Sequence, residues 1–285
     1  MTKTLQPALF DNKENIEVLQ LDDGRQLYVV QSNTKSQFNS TNEMVDWAWW
    51  TWNPVTGCWH GCSYCYARDI ANRFYETKFE PTFYPGRLHA PKNMKPMTSA
   101  RIKNEAKKRR INLEDAQVFA KNVFTCSMAD LFGKWVPEDW ILQVFQSVES
   151  SPEWNFLFLT KFPQRLQEIN DKLGGFPENV WVGTTVDTQS RVSLAEKSFR
   201  NIKAKVKWLS IEPMLEPLNF QSLEMFDLIA IGGQSRTSKE PEFQPEWSWV
   251  EDLMRQARAS DTSVYFKENL KARPKELPWY SKGQN

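Results

Sequence analysis

The sequence predicts an α/β chain, a partial or near-complete (β/α) barrel of about six to seven parallel strands, with an N-terminal β-hairpin and a basic insertion. Three observations carry this. Short apolar runs rich in Val, Ile, Phe and Trp recur, with amphipathic stretches between them. The later runs repeat at intervals of about 20 to 35 residues, the length a strand plus crossover helix requires. Runs such as Phe156-Leu157-Phe158-Leu159 show no alternation, the pattern of strands buried on both faces in a barrel or a doubly wound sheet.

Taken in order, residues 16–30 alternate apolar and polar around Asp22-Asp23-Gly24, which predicts a hairpin. Residues 31–42 are rich in Ser, Asn, Thr and Gln and predict a linker with too little apolar surface to order itself. The hairpin and linker thus occupy 1–44, and the main domain 45–285. Strands are expected at 46–52, 118–125, 155–160, 180–184, 206–210, 228–231 and 263–266. Helices are expected at 67–75, 137–149, 163–172, 189–201 and 245–259. Pro137, Pro163 and Pro245 stand near helix starts, where a missing donor costs little. The insertion, 77–117, contains the decamer 101–110, with six basic residues and one acid, net +5, which leaves −4 for the rest of the chain. It reads as a solvated helix face or as a contact for a phosphate backbone.

With 285 residues, 40% hydrophobic and 25% charged, the chain can bury a full-sized core, and disordered or fibrous classes are excluded. Lys+Arg 36 against Asp+Glu 35 argues against binding nucleic acid or membrane through the overall field, so such binding needs a local patch. No apolar stretch reaches the roughly 18 residues of a membrane span, and residues 1–13 lack a signal-peptide core. The expectation is a soluble, cytoplasmic protein. Five of thirteen tryptophans, Trp47, Trp49, Trp50, Trp52 and Trp59, lie in or just before the cysteine cluster. They read as a buried aromatic core, with stacking on bases as the alternative.

Four cysteines are too few to staple this chain, and Cys58, Cys62 and Cys65 fall within eight residues with spacing C-x3-C-x2-C. A reducing cytosol leaves them as thiolates available to metal. Three thiolates on one loop can hold three irons of a 4Fe-4S cluster and leave the fourth iron without a protein ligand. A structural zinc site wants four ligands; the candidates for the fourth are His60, crowded between Cys58 and Cys62, and Cys126. Cys126 ends the second run and reads as a packed thiol, or as a hydrogen-atom donor facing the cluster.

The C-x3-C spacing with Tyr64 just before the third cysteine, after the first strand of repeated β/α units, resembles the radical S-adenosylmethionine (SAM) superfamily. The string Trp52-Asn53-Pro54-Val55-Thr56-Gly57-Cys58, with Cys65-Tyr66-Ala67, resembles more narrowly the phage- and plasmid-associated three-cysteine-motif family. Further matches are Ser127 to Phe132, Leu159 to Arg165, Asn179 to Gly183, Leu209 to Pro213, and Ile231-Gly232-Gly233. The family's Gly-Gly-Glu reads Gly232-Gly233-Gln234 here, losing a carboxylate. The resemblance implies an enzyme with a 4Fe-4S cluster and SAM as cofactors, producing a 5′-deoxyadenosyl radical that removes a hydrogen atom from substrate.

Strand ends are where such a fold keeps its ligand site. The candidate cofactor contacts are therefore Ser127, Asp130, Thr160, Thr184, Ser210, Gly232, Gly233 and Gln234, to which the resemblance adds Tyr64, the aromatic residue before the third cysteine. Lys161 and Glu212 are the candidate catalytic residues, because charges directly after buried strands are costly unless paired or used. Competing readings are an ion pair between Lys161 and Glu212, a helix cap at Glu212, and ordinary capping by Ser127, Thr160 and Thr184. The implied partners are an external reductant, nucleic acid as the substrate to be modified or repaired, and a separately encoded protein. The competing function is a non-catalytic iron–sulfur or zinc-binding module in a phage or plasmid system.

Overall fold

The computed structural model describes residues 15–31, 36–41, 45 and 47–272. These group into two compact units, one within Met1–Gly61 and Cys65–Phe156, the other within Cys62–Tyr64 and Leu157–Asn285.

In the first unit β1 (Asn15–Gln20) and β2 (Gln26–Gln31) form the expected antiparallel hairpin, with Ile16 opposite Val30 and Leu19 opposite Leu27. Gly24 takes φ 83° in the turn, a conformation glycine adopts at low cost. The next strands are β3 (Asn39–Ser40), β4 (Trp50–Trp52) and β5 (Val55–Thr56). After α1 (Tyr66–Phe74), β6 (Thr82–Phe83) joins β5 to β2 in a four-stranded sheet. Then follow α2 (Ala90–Asn93), α3 (Ser99–Arg109), α4 (Leu113–Phe119), β7 (Asn122–Thr125) and α5 (Glu138–Glu149). β4 pairs in parallel with β7 and antiparallel with β3.

Three expectations change here. The polar stretch 31–42 holds β3, and its Phe38 is buried, packing edge-on against Trp154; one apolar side chain anchors a segment whose composition reads as linker. Residues 32–35 and 42 of that stretch, and 1–13, lie outside the described residues. The run 118–125 is split, since Val118 and Phe119 complete α4 and only Asn122–Thr125 is strand. Of 46–52, Trp50–Trp52 is strand, and residue 46 is not among those described. Trp49, Trp50 and Trp52 are buried, as the core reading requires, while Trp47 and Trp59 are half-buried.

The basic decamer lies on α3. Thr98 caps its start, accepting from the Arg101 amide, and Arg110 ends it in the left-handed region, the position that terminates many helices. Ile102 and Ala106 face inward, whereas Arg101, Lys103, Lys107, Lys108 and Arg110 are exposed. Arg109 lies 4.9 Å from the Trp49 ring centroid.

The unit boundary falls within β8 (Asn155–Thr160). In the second unit β8 is followed by α6 (Gln164–Leu173), β9 (Val180–Thr185), α7 (Val192–Phe199), β10 (Val206–Ile211), β11 (Leu228–Ile231), α8 (Trp247–Ala259) and β12 (Ser263–Phe266). β9 to β12 pair in parallel, each beside the next in chain order, with β8 next to β9. The order does not reverse, so right-handed crossovers put the connections on one face; a doubly wound sheet would need a reversal. Gly183 sits opposite Trp208 across the ladder, and a Cβ there would meet the indole at 2.5 Å. Helix α8 buries Val250, Leu253, Met254 and Ala257 at i, i+3, i+4 and i+7, one apolar stripe. The fold class is mixed α/β with parallel strands. No helix among the described residues is long and apolar enough to cross a membrane.

Candidate functional site

Cys58 to Cys65 connect β5 to α1. In the first unit the entry to this loop is pinned by its backbone: the Gly57 amide donates to Met128 O at 2.8 Å and the Cys58 amide to Phe79 O at 3.1 Å. Gly57 has φ 83°, and a Cβ there would lie 2.1 Å from Glu80 O, so no other residue fits that position unstrained. Cys58 and Cys65 pack on one small apolar group formed by Ala67, Ala71, Phe79 and Met128. Asn53 ties the strand before the loop to the turn after β7. Its Oδ1 accepts from the Met128 amide at 2.9 Å, and its amide group exchanges hydrogen bonds with Ser127 Oγ. His60 Nε2 lies 2.6 Å from Asp130 Oδ2, while Asp130 Oδ1 accepts from the Phe132 amide at 3.1 Å. Ser127 and Asp130 thus hold the loop and its neighbouring turn.

The middle of the loop, Cys62–Tyr64, belongs to the second unit. There Tyr64 Oη donates to Asp187 Oδ2, and Lys161 Nζ lies 2.5 Å from Tyr64 Oη and 2.9 Å from Asp187 Oδ2. Arg191 Nε is 2.8 Å from Asp187 Oδ1 without hydrogen-bond alignment, so charge alone holds that oxygen. The side chains of Asp187 and Lys161 are 8% and 13% exposed, which makes this a nearly dry ion pair. Burial pushes the Asp187 carboxyl up, but Lys161, the Tyr64 hydroxyl and Arg191 together outweigh it and hold the group below the ordinary carboxylate range. Burial, then the Asp187 charge, raises the Tyr64 hydroxyl above the usual phenol range.

The ion pair between Lys161 and Glu212, the competing reading, is not formed. Lys161 is taken by Asp187 and Tyr64, and Glu212 Oε2 pairs with Lys267 Nζ at 2.7 Å. Nor does Glu212 cap a helix, for an irregular segment follows it. Thr160 Oγ1 accepts from the Phe162 amide at 2.8 Å and Thr184 Oγ1 donates to Thr160 O at 2.9 Å, both local structural bonds. Ser210 is buried in β10 between Thr185 and Ala230. A Cβ on Gly232 would meet Asn269 Oδ1 at 2.8 Å, and one on Gly233 would meet Gln244 Nε2 at 2.4 Å. These glycines therefore admit side chains of the chain itself. Gln234 Nε2 donates to Pro241 O at 2.7 Å, within its own loop.

Asp187, Arg191, Lys267 and Asn53 were not singled out from the sequence. For Asp187 a signal existed: a carboxylate two residues beyond the buried strand β9, the rule that picked out Lys161. For Lys267 the same rule applied at the end of β12.

All four cysteines are thiols. Cys58, Cys62 and Cys65 are half-buried, whereas Cys126 is 4% exposed and burial pushes its thiol up to about 12. Cys126 also takes φ 57° and donates its amide to Trp52 O at 2.8 Å, so it serves as a buried corner residue. The donor set of the loop, three accessible thiols on one short segment, fits an iron–sulfur cluster with three protein ligands. Among the described residues, no three His, Cys, Asp or Glu side chains converge as ligands of one metal ion.

A family match covers most of this architecture. The chain belongs to the family described as "Protein of unknown function (DUF5131)", which matches residues 42–282. No curated protein matches the chain. Among solved structures it is similar to spore photoproduct lyase complexed with dinucleoside spore photoproduct, at 13% identity and TM-score 0.40, covering 84% of this chain. It is similar also to a mutant of spore photoproduct lyase, at 12% identity, TM-score 0.40 and the same coverage. The chain spans 60% of the length of each.

Proposed function

We propose that the protein is a radical SAM enzyme in which Cys58, Cys62 and Cys65 hold three irons of a 4Fe-4S cluster and SAM occupies the fourth. The observation that supports this is the loop itself: three half-buried thiols spaced C-x3-C-x2-C between a strand and a helix, with the fourth cysteine buried elsewhere. When bound, the cluster and SAM supply one-electron cleavage of the sulfonium and a carbon radical that takes a hydrogen atom from substrate. The chain's own residues supply ligands and orientation. Asp187 and Lys161 hold Tyr64 in the middle of the loop, and Lys161 and Glu212 are the charged groups at strand ends. Thr160, Thr184, Ser210, Gly232, Gly233 and Gln234 stand at the ends of a parallel ladder read as part of a (β/α) barrel, where a cofactor would be contacted. Since the side chains of Thr160, Thr184 and Gln234 are engaged locally, contact there would fall to backbone groups and to Ser210. Thiolate ligands suit a reducing, cytoplasmic setting. The exposed cations of α3 suit nucleic acid as substrate, with an external reductant and a separately encoded protein as partners, in a phage or plasmid system.

The test is anaerobic reconstitution with iron and sulfide, then incubation with SAM and dithionite and mass spectrometry of the nucleosides. The expected outcome is about four irons per chain and release of 5′-deoxyadenosine, abolished in each of Cys58→Ala, Cys62→Ala and Cys65→Ala. Tightly held zinc with no iron uptake would overturn the reading, as would cleavage retained in any single variant. For nucleic acid, neutralising Lys107, Lys108, Arg109 and Arg110 should flatten the dependence of binding on salt.

A further inference from the structure

In the first unit a cavity of about 240 Å³ is lined by Val30, Asn39, Asn53, Tyr75, Tyr84 and Arg87, among others. Arg87 dominates its chemistry. The guanidinium lies 3.5 Å from the Tyr84 ring centroid, and Nη1 donates to Asn53 O at 2.9 Å. Its carbonyl accepts from the Trp52 indole at 2.8 Å. Both ends of the residue are therefore held, and the guanidinium plane is set by an aromatic face beneath it. Among the described residues no carboxylate pairs with Arg87, and none lines the cavity. The remaining polar lining is neutral, from Ser36, Gln37 and the two asparagines.

A guanidinium has five donors in a planar fork that matches carboxylate or phosphate oxygens two at a time. One bond to a carbonyl leaves donors of that fork for another acceptor. A cation already fixed on an aromatic ring loses little freedom when an anion arrives, and among the described residues no acid in the lining repels it. The volume lies just below the roughly 300–1,000 Å³ of drug-sized ligand sites, which suits a small polar molecule.

We infer that this cavity binds the phosphate or carboxylate end of a small polar molecule, with Arg87 as its anchor and the amides of Gln37 and Asn39 as contacts for the remainder. This stands apart from the cluster chemistry proposed above and does not depend on it.

Calorimetric titration of the full chain with inorganic phosphate, adenosine monophosphate and succinate tests it. One-to-one binding of at least one probe is expected, and phosphate or the monophosphate against succinate tells the two anion sources apart. Arg87→Gln should weaken that binding by about tenfold or more, the worth of a charged hydrogen bond. Should that variant fail to fold, Arg87→Lys and Asn39→Ala keep the test open. The lysine loses the fork while keeping the charge, and Asn39 is exposed in a two-residue strand, so both should bind more weakly with unchanged unfolding temperature. Absence of heat with all three probes at millimolar concentration overturns the inference, and so does binding untouched in folded Arg87→Lys and Asn39→Ala.

Discussion

In the second unit strands of four to six residues succeed one another with a regular ladder between them. In the first unit the strands that carry the cysteine loop are two to four residues long, and side chains do much of the joining. Asn53 satisfies the Met128 amide, the Trp52 indole satisfies Arg87 O, and Asn122 Nδ2 donates to Trp47 O. Every buried backbone group needs a partner. Where the ladder is short, single side chains provide it, and the local geometry rests on those individuals. In the regular unit the ladder itself carries the strands; side chains such as Gln256 and Glu196 satisfy backbone groups of the connections, and charged pairs gather at the strand ends.

That contrast can be broken most forcefully at Asp187. Asp187→Asn removes the buried carboxylate that Lys161 and Arg191 both face, and should cost about 3–5 kcal/mol in urea unfolding at pH 7. Because the folded carboxyl sits below its ordinary value near 3.9, its stabilisation is complete above that pH and fades as pH falls through the folded value. The gap between wild type and variant should therefore narrow in acid; a constant gap would mean that charge is not the cause. In the irregular unit, Gly57→Ala should cost about 1–3 kcal/mol from the left-handed backbone alone, and more from the approach to Glu80 O. An unchanged unfolding temperature would show the loop entry to be adaptable.

A smaller loss is expected at Asn53, where alanine strands the buried Met128 amide at about 1–3 kcal/mol. If the loss is confined to local hydrogen exchange at Met128 and the adjoining turn, the single-residue character of this unit is sharpened. The last comparison changes no stability. With its thiol at about 12, Cys126 should resist iodoacetamide at pH 8 in the folded, cluster-free protein while Cys58, Cys62 and Cys65 react, as read by peptide mass spectrometry. Equal labelling of all four would contradict the burial difference.

The parallel ladder was legible almost to the residue, because strands buried on both faces are continuous apolar runs, and β9 and β10 each extend only one residue past the expected ends. In the first unit the same signal misled. An apolar run such as 118–125 does not distinguish the end of a helix from a strand, and one buried phenylalanine in a polar stretch leaves no period to read. That three cysteines share the loop after β5 was legible because their nearness is local in the sequence. Lys161 and Glu212 were legible as charges at strand ends, but not their partners.

By itself, then, the sequence determined which segments are strands of a parallel ladder, that three thiols share one loop while a fourth lies apart, and which charges stand where strands finish. Only the tertiary structure decided that Lys161 meets Asp187 and Tyr64, that Glu212 meets Lys267, that Gly232 and Gly233 are filled by the chain's own side chains, and that Arg87 faces a cavity without a counterion among the described residues. Periodicity and spacing are properties of neighbouring residues along the backbone. Pairing between groups scores of residues apart depends on strand register and on which side chains the packed core leaves room for.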